Sequence, residues 1–194
     1  MGDIKKIRKK YSKPSHPWRA TRIEEENKIC KEYGIPQKTE LWKAIAKLQS
    51  FKNQTKKLAA LVTKQAEKEK QNLLTKLQSY NLIKPEEGTD AILGITLAHL
   101  LDRRLQTIVY KKHLARTIKQ ARQLITQRHI LINDKIVTSP SYLVKVSEEA
   151  QIAISPKSPL YAQDHPERST EEYRKQKAEK PVKEKPKPQY QRRR

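Results

Sequence analysis

The feature that most constrains this fold is a short amphipathic helix followed closely by a tight β-hairpin. Thr117 stands where a helix N-cap is expected, because apolar residues recur at helical spacing immediately after it, over residues 118–125. Two apolar strand candidates, residues 130–132 and 135–137, are separated only by Asn133 and Asp134. Both residue types tolerate the left-handed backbone of a two-residue turn. The stretch therefore predicts a helix packed beside a small sheet.

Four segments in and around this stretch carry a family resemblance. They are LDRRLQTIVY at residues 101–110, ARQLI at 121–125, HILIN at 129–133 and PSYLV at 140–144. Together they resemble the RNA-binding module of the small-subunit ribosomal protein four family. The paired arginines of the first segment and the Pro-Ser-Tyr of the last are similar to the ribosomal protein itself. The bare helix-turn-helix-hairpin module also occurs in some RNA-modifying enzymes and tRNA synthetases.

The composition restricts where a core can form and which partners the chain can have. Lys and Arg number 43 against 21 acidic residues, the net charge is +22, and 35% of the residues are hydrophobic. Such a chain repels itself unless a polyanion neutralises it, so nucleic acid is the expected partner. A membrane surface is the alternative, although no apolar run is long enough to span a bilayer. The N-terminus lacks the apolar region of a secretory signal, so a cytoplasmic protein is expected.

The chain divides into four expected segments. Residues 1–20 form a basic arm, residues 21–95 a helical domain, residues 96–155 the RNA-binding module, and residues 156–194 a Pro- and Lys-rich arm or disordered tail. The predicted fold class is α+β. A helical N-terminal domain accompanies a small helix-turn-helix module with a twisted antiparallel sheet, and basic extended arms lie at both termini.

Apolar spacing places three helices in the helical domain. The first covers residues 21–33, the second is capped by Thr39 and keeps its apolar face as far as Val62, and the third covers residues 64–80. Residues 84–89, Lys-Pro-Glu-Glu-Gly-Thr, are the clearest break in the pattern.

The module is expected to begin with a helix capped by Thr96, whose apolar residues continue to Ile108. Residues 142–144 and 151–154 are predicted as further short strands, which would complete a small twisted sheet on the two helices.

Cations with few acids between them define the predicted RNA-binding face. Arg guanidinium groups match phosphate oxygens in pairs, Lys supplies point charge, and amides at the start of the second helix add an anion site near Thr117. In the module, the residues expected to bind RNA are Arg103, Arg104, Lys111, Lys112, Arg116, Thr117, Lys119, Arg122, Arg128, His129 and Lys135. In the N-terminal arm they are Lys5, Lys6, Arg8, Lys9, Lys10 and Arg19.

Several side chains have two interpretations. Trp18 and Tyr11 could both stack on bases. For Trp18, the alternative is that it packs on the first helix. His129 either contacts RNA or caps the last carbonyls of the second helix, and Tyr142 is expected to pack with a hydrogen-bonding tip. Where many family members have Gly after that helix, this chain has Arg128, so either Arg128 takes a left-handed conformation or the helix ends differently.

No enzyme is expected, because the five His are scattered and the four Gly form no phosphate-binding loop. The single Cys30 excludes a zinc knuckle and an intramolecular disulfide, and no metal or other cofactor is expected. Some bacterial members of the family carry a cysteine cluster near the N-terminus. This chain lacks that cluster, so it looks more like the archaeal and eukaryotic branch.

By the resemblance, the protein is expected to bind small-subunit ribosomal RNA early in assembly, to clamp a junction of RNA helices and to influence decoding accuracy. Its expected partners also include neighbouring ribosomal proteins and messenger RNA where it enters the subunit. The alternative is a free-standing RNA-binding assembly or stress factor. A third reading, a fragment of an RNA-modifying enzyme, lacks any segment that could be the catalytic domain.

Overall fold

The computed structural model describes residues 9–161, which fold into helices and one small sheet. Numbered in chain order, the helices are α1 Ala20–Glu32, α2 Lys38–Ala59, α3 Lys64–Ser79, α4 Thr89–Gly94, α5 Leu97–Asp102, α6 Leu105–Lys111, α7 Ile118–Thr126 and α8 Val146–Glu149. The strands are β1 Ile130–Ile132, β2 Lys135–Ile136 and β3 Ile152–Ile154, and a 3₁₀ turn, Pro159–Tyr161, follows. The α+β prediction is confirmed.

The two longest helices, α2 and α3, pack together around a shared apolar core. Phe51 of α2 is buried in one cluster with Leu73 and Leu77 of α3. This follows from apolar residues that return every three or four positions along both helices. Thr63 caps α3, since its hydroxyl oxygen accepts a hydrogen bond from the Ala66 amide at 3.2 Å.

Helix α2 begins and ends earlier than the sequence pattern predicts. Its N-cap is Gln37, and Thr39 lies in the first turn, where its hydroxyl donates to the Gln37 side chain at 3.3 Å. The prediction of Thr39 as the cap is therefore wrong. The helix ends at Ala59, because Thr63 must adopt an extended conformation to start α3. Val62, predicted to continue the apolar face, is consequently 95% exposed in the connection.

Helices α4 and α5 pack against α2, so the apolar core crosses the position where the module was expected to begin. Ile92, Ile95 and Leu100 are buried in the cluster that contains α2 and α3. The next residue, Leu101, is buried in a different cluster with Leu41 of α2. Helix α5 therefore contributes buried side chains to two separate apolar clusters, both of which include residues of α2.

The helix predicted from Thr96 onward is interrupted, and the predicted strand at residues 142–144 is the cause. α5 ends at Asp102 and α6 begins at Leu105, while the intervening backbone pairs with the later segment. The Leu105 amide donates to the Tyr142 carbonyl at 2.8 Å. Only a single antiparallel bridge, between Arg104 and Leu143, forms there. The prediction of a strand at residues 142–144 is therefore wrong. The backbone of this segment pairs with the break between α5 and α6 and not with an edge of the sheet.

The remaining residues of the module fold as the helix-hairpin pattern predicts. The sheet has the order β2-β1-β3 with both pairings antiparallel, and Leu131 lies opposite both Ile136 and Ala153. Asn133 and Asp134 have φ values of 50° and 62°, as a two-residue left-handed turn requires. The predicted turn is confirmed, and β3 corresponds to the strand predicted over residues 151–154.

One continuous core joins α6, α7 and the sheet. Val109 of α6, Ile125 of α7, Ile130 of β1 and Ile154 of β3 are all fully or almost fully buried in it. Within residues 9–161, none of the helices has the length and apolar character needed to cross a membrane. The C-terminal arm predicted from residue 156 falls mostly on residues 162–194, which lie outside the described part of the chain.

Candidate nucleic-acid interface

The start of α7 is built as the sequence predicts. The Thr117 hydroxyl oxygen accepts a hydrogen bond from the Gln120 amide at 3.1 Å, which confirms Thr117 as the N-cap. In return, the Gln120 side-chain oxygen accepts a hydrogen bond from the Arg116 amide at 2.7 Å. These two reciprocal bonds fix the helix terminus and already satisfy two of the amides near it.

Three cations of the predicted set project from the surface of the module. Lys119 lies on the outer face of α7, Arg128 just beyond its end, and Lys135 in β2, and all three side chains are exposed. In the described part of the chain, none of the three side chains forms an ion pair or a hydrogen bond. They are the residues of the module best placed to meet an external polyanion.

A second group of predicted cations is engaged within the protein, around α8. Arg103 donates to a Glu149 carboxylate oxygen at 2.9 Å and to the Val144 carbonyl at 3.1 Å. The Lys112 ammonium donates to the backbone carbonyl of Glu149. Lys111 is exposed but pairs with Asp102 at 3.0 Å. The contacts of Arg103 and Lys112 tie the residues that flank α6 to the segment between β2 and β3, so these two charges stabilise the module internally, whereas Lys111 pairs with the end of α5.

Arg104 and Arg122 share a single carboxylate on α2. Arg104 donates to Glu40 Oε2 at 2.9 Å, and Arg122 grips both Glu40 oxygens, at 3.1 Å and 2.6 Å. The Arg104 side chain is only 4% exposed. Burial by itself raises the pKa of Glu40, but the hydrogen bonds and charges of Arg122 and Arg104 outweigh it, so the pKa is lowered. Direct phosphate contact by Arg104 would require this cluster to open.

Gln106 adds a second connection between the same two parts of the chain. Its side-chain amide donates to the Gly34 carbonyl at 3.2 Å and to the Ile118 carbonyl at 3.0 Å. Gly34 lies two residues after the end of α1 and has φ +59°, and a Cβ there would lie 2.5 Å from the Ile118 side chain. The close approach therefore needs glycine both for its conformation and for its size.

Sequence reasoning missed Glu40 and Gln106 as organisers of this face. One signal was available, because Glu40 is the only acidic residue between Glu32 and Glu67. A lone acid in a Lys-rich helix is a good candidate for an ion pair. Its partners were not visible, since they lie 64 and 82 residues later in the chain. No comparable signal marked Gln106.

The structure shows the conformation or the contacts of three residues around the module whose roles were discussed above. Arg128 has φ 65°, so the left-handed alternative at the end of α7 is the one adopted. The His129 ring nitrogen Nδ1 lies 2.9 Å from the Ser158 hydroxyl, so the ring links the helix end to the chain after β3. The Tyr142 hydroxyl donates to the Glu148 carboxylate at 3.0 Å, as expected for a packed ring with a polar tip.

The N-terminal arm is only partly described. Lys9, Lys10 and Arg19 are exposed. Trp18 is 91% exposed, so the alternative in which it packs on α1 is wrong. Tyr11 instead lies beside Trp42 of α2, with ring centroids 6.3 Å apart. The predicted contacts of Lys5, Lys6 and Arg8 fall outside the described residues.

The module coincides with a known family. Residues 103–149, from the break before α6 to the end of α8, match the family described as the S4 domain. Within residues 9–161, no group of three or more His, Cys, Asp or Glu side chains is arranged to hold a metal ion.

Similarity to whole proteins extends far beyond this module. The chain is 46% identical over 171 residues to the small ribosomal subunit protein uS4 of Methanococcus vannielii, and the match covers 88% of this chain and 96% of the relative. It is 45% identical over 170 residues to uS4 of Methanococcus maripaludis, covering 87% and 96%. For uS4 of Methanococcus aeolicus the identity is 42% over 170 residues. The resemblance noted in the sequence is thereby confirmed, and the chain belongs to the family of the small ribosomal subunit protein uS4.

Proposed function

We propose that this protein is a structural component of the small ribosomal subunit and binds its ribosomal RNA directly. The observation that carries the proposal is the near-full-length match to relatives named small ribosomal subunit proteins. The net charge of +22 and the exposed cations of the module agree with it. The proposal includes no catalytic activity, no cofactor and no small-molecule substrate, and it assigns the protein to the ribosome of the cytoplasm.

In this proposal the module binds RNA by placing a few fixed cations against closely spaced phosphates. Lys119, Arg128 and Lys135 make the direct contacts, and the exposed Lys9, Lys10 and Arg19 extend the contact from the N-terminal arm. Each phosphate that is neutralised releases condensed counterions, so affinity falls as salt rises. Arg103, Arg104, Lys112 and Arg122 act mainly by holding α6 and α7 in position. Of the other predicted residues, Lys111 pairs with Asp102 and the His129 ring lies beside the Ser158 hydroxyl, so neither is assigned a direct contact.

The finer roles expected from the family resemblance are part of the same proposal. They are early binding during subunit assembly, clamping of a junction of RNA helices, and an influence on decoding accuracy. Neighbouring ribosomal proteins and messenger RNA are the further partners. The second candidate function, a free-standing RNA-binding assembly or stress factor, would use the same module without remaining in the subunit.

The test compares binding of the full chain to its own small-subunit ribosomal RNA and to an unrelated structured RNA of equal length, over a range of salt concentrations. The variant replaces Lys119, Arg128 and Lys135 by Ala. Its matched control removes the same charge from exposed lysines elsewhere: Lys28, Lys31 and Lys68.

We expect the wild type to prefer the ribosomal RNA. In the variant, the negative slope of log affinity against log salt should become shallower by about 2–3. The control should keep both the preference and most of the slope. Equal binding of the two RNAs, or equal losses in variant and control, would reduce the protein to a non-specific polycation. Co-sedimentation with mature subunits from cell extracts separates a permanent component from a transient factor.

A further inference from the structure

An open groove of about 790 Å³ runs along α2, outside the module matched to the S4 domain. Residues 12–14 form one wall of the groove, and one face of α2 forms its floor. The floor extends from Trp42, here called the upper end, to Lys57, the lower end, and α1 contributes to the upper end. Its volume falls within the roughly 300–1,000 Å³ range of ligand pockets in proteins. None of the RNA-binding residues predicted from the sequence lines it.

The floor of the groove carries no charged side chain between Trp42 and Gln54, which is unusual in this chain. Ile45 and Ala46 form its apolar part beside Trp42, and a polar part follows along α2. At helical spacing along α2 it presents Gln49, Ser50, Asn53 and Gln54. A third of all residues in the chain are charged, and the lysines of α2 lie mainly off this face. Amide side chains carry both donors and acceptors. They suit the hydrogen-bonding edges of bases and ribose hydroxyls better than they suit phosphate charge.

An aromatic side chain is held in place at the upper end of the groove. Trp42 lines it, and its indole Nε1 donates to Glu26 Oε1 at 3.1 Å. Tyr11 packs beside Trp42, with ring centroids 6.3 Å apart. Glu26 is the only acid lining the groove, and it pairs with Arg22 at 2.5 Å and Lys38 at 3.3 Å. Its negative charge is thus compensated, and the indole keeps a fixed orientation.

Two exposed lysines flank the polar part of the floor. Lys13 lies on the N-terminal wall and Lys57 at the lower end, and both are exposed. Within residues 9–161, neither side chain forms an ion pair or a hydrogen bond. Aromatic stacking, amide donors and acceptors, and cations at the rim are the three elements with which proteins bind unpaired RNA nucleotides.

We propose that this groove binds unpaired nucleotides of RNA. A base lies against Trp42, Gln49 and Asn53 bond to base edges or 2′-hydroxyls, and Lys13 and Lys57 neutralise flanking phosphates. This inference rests on the proposed function, since ribosomal RNA would supply the unpaired nucleotides. An acidic peptide of a neighbouring protein would need more cations than this floor offers, so RNA is the occupant we assign.

The experiment uses Trp42 as its own reporter. The chain has two tryptophans, so Trp18→Phe leaves Trp42 as the sole indole. The full chain with this substitution is titrated with an unstructured RNA of about nine nucleotides, within the usual single-strand site size, and with a hairpin RNA of the same phosphate count. We expect saturable quenching of Trp42 emission by the unstructured RNA and little quenching by the hairpin.

Gln49→Ala with Asn53→Ala should weaken this binding about tenfold, because the hydrogen bonds of two amide side chains to the nucleotides are lost. Both residues are exposed on α2, so the fold is retained, and a circular-dichroism melt checks this. The matched control, Gln65→Ala with Gln71→Ala, removes exposed amides from α3 and should leave the affinity unchanged.

Equal quenching by hairpin and unstructured RNA, or an unchanged affinity of the groove variant, would overturn the inference. Quenching by an acidic peptide in place of RNA would also overturn it. Binding of ribosomal RNA by the same protein is measured in parallel. If that binding persists while Trp42 stays silent, only the groove assignment fails; if it is absent, the proposed function itself fails.

Discussion

Replacement of Glu40 by Gln should strongly destabilise the protein. Among single Asp→Asn or Glu→Gln substitutions in residues 9–161, we expect it to cause the largest loss of stability. The substitution keeps the shape of the side chain and removes its charge. Arg104, which is 4% exposed and cannot lose its proton, would then be buried without a counter-charge. Arg122 would lose both of its bonds to an ionised carboxylate.

The magnitude follows from the burial of the three partners. Removing one member of a fully buried ion pair costs about 3–5 kcal/mol. Glu40 and Arg122 retain 21% and 28% side-chain exposure, so solvent partly compensates them. We therefore expect a loss near the lower end, about 3 kcal/mol. For a domain of this size that corresponds to a decrease in Tm of about 6–12 °C.

Urea unfolding followed by circular dichroism measures this loss, with Glu25→Gln as the control, because Glu25 is exposed on α1. A triple variant tests the cause. Glu40→Leu combined with Arg104→Met and Arg122→Met removes this whole charge cluster, and it should recover most of the stability because no charge is left buried without its partner there. A loss below about 1 kcal/mol, the range of exposed pairs, would refute the reasoning, as would a triple variant less stable than Glu40→Gln.

Three further predictions follow from the same structure. The pKa values of Glu40 and Glu26 are lowered in the folded protein, so both ionised carboxylates stabilise the fold above the unfolded-state pKa of about 4.3. The free energy of unfolding should therefore fall as the pH drops from about 5 through the lower pKa values of the folded state. The fall should be less steep in Glu40→Gln. Arg128→Gly should raise the free energy of unfolding by about 0.5–1 kcal/mol by relieving the left-handed conformation, while the lost charge weakens RNA binding; unchanged values in both assays would contradict this. Gly34→Ala should cost about 2–3 kcal/mol in thermal unfolding, because its Cβ would meet Ile118 at 2.5 Å and its φ is +59°.

The local parts of the fold could be predicted because their causes lie within a few residues. The cap at Thr117 and the turn at Asn133 and Asp134 each depend on side chains adjacent in sequence. The same local reasoning was wrong at Thr39, where the helix already begins after Gln37, and at Val62, where the start of α3 after Thr63 limits how far α2 can continue. Propensity places a helix, but the next element decides where that helix ends.

The break between α5 and α6 could not be read from its own residues. Apolar positions continue through it at helical spacing, and neither Gly nor Pro interrupts them. What ends the helix is the backbone of Tyr142 and Val144, which returns some forty residues later to bond with Leu105 and Arg103. Non-local hydrogen bonds of this kind override periodicity and leave no mark in the local sequence.

The candidate interface shows the same limit in its charges. The sequence counts cations, whereas the fold divides them into those that face outward and those that hold helices together. Because Glu40 of α2 binds Arg122 of α7, it also fixes the helix that carries Lys119. A change at Glu40 should therefore weaken RNA binding through the position of Lys119, although Glu40 itself is not assigned an RNA contact. This effect is distinguishable from unfolding, because it persists at temperatures where the variant remains fully folded.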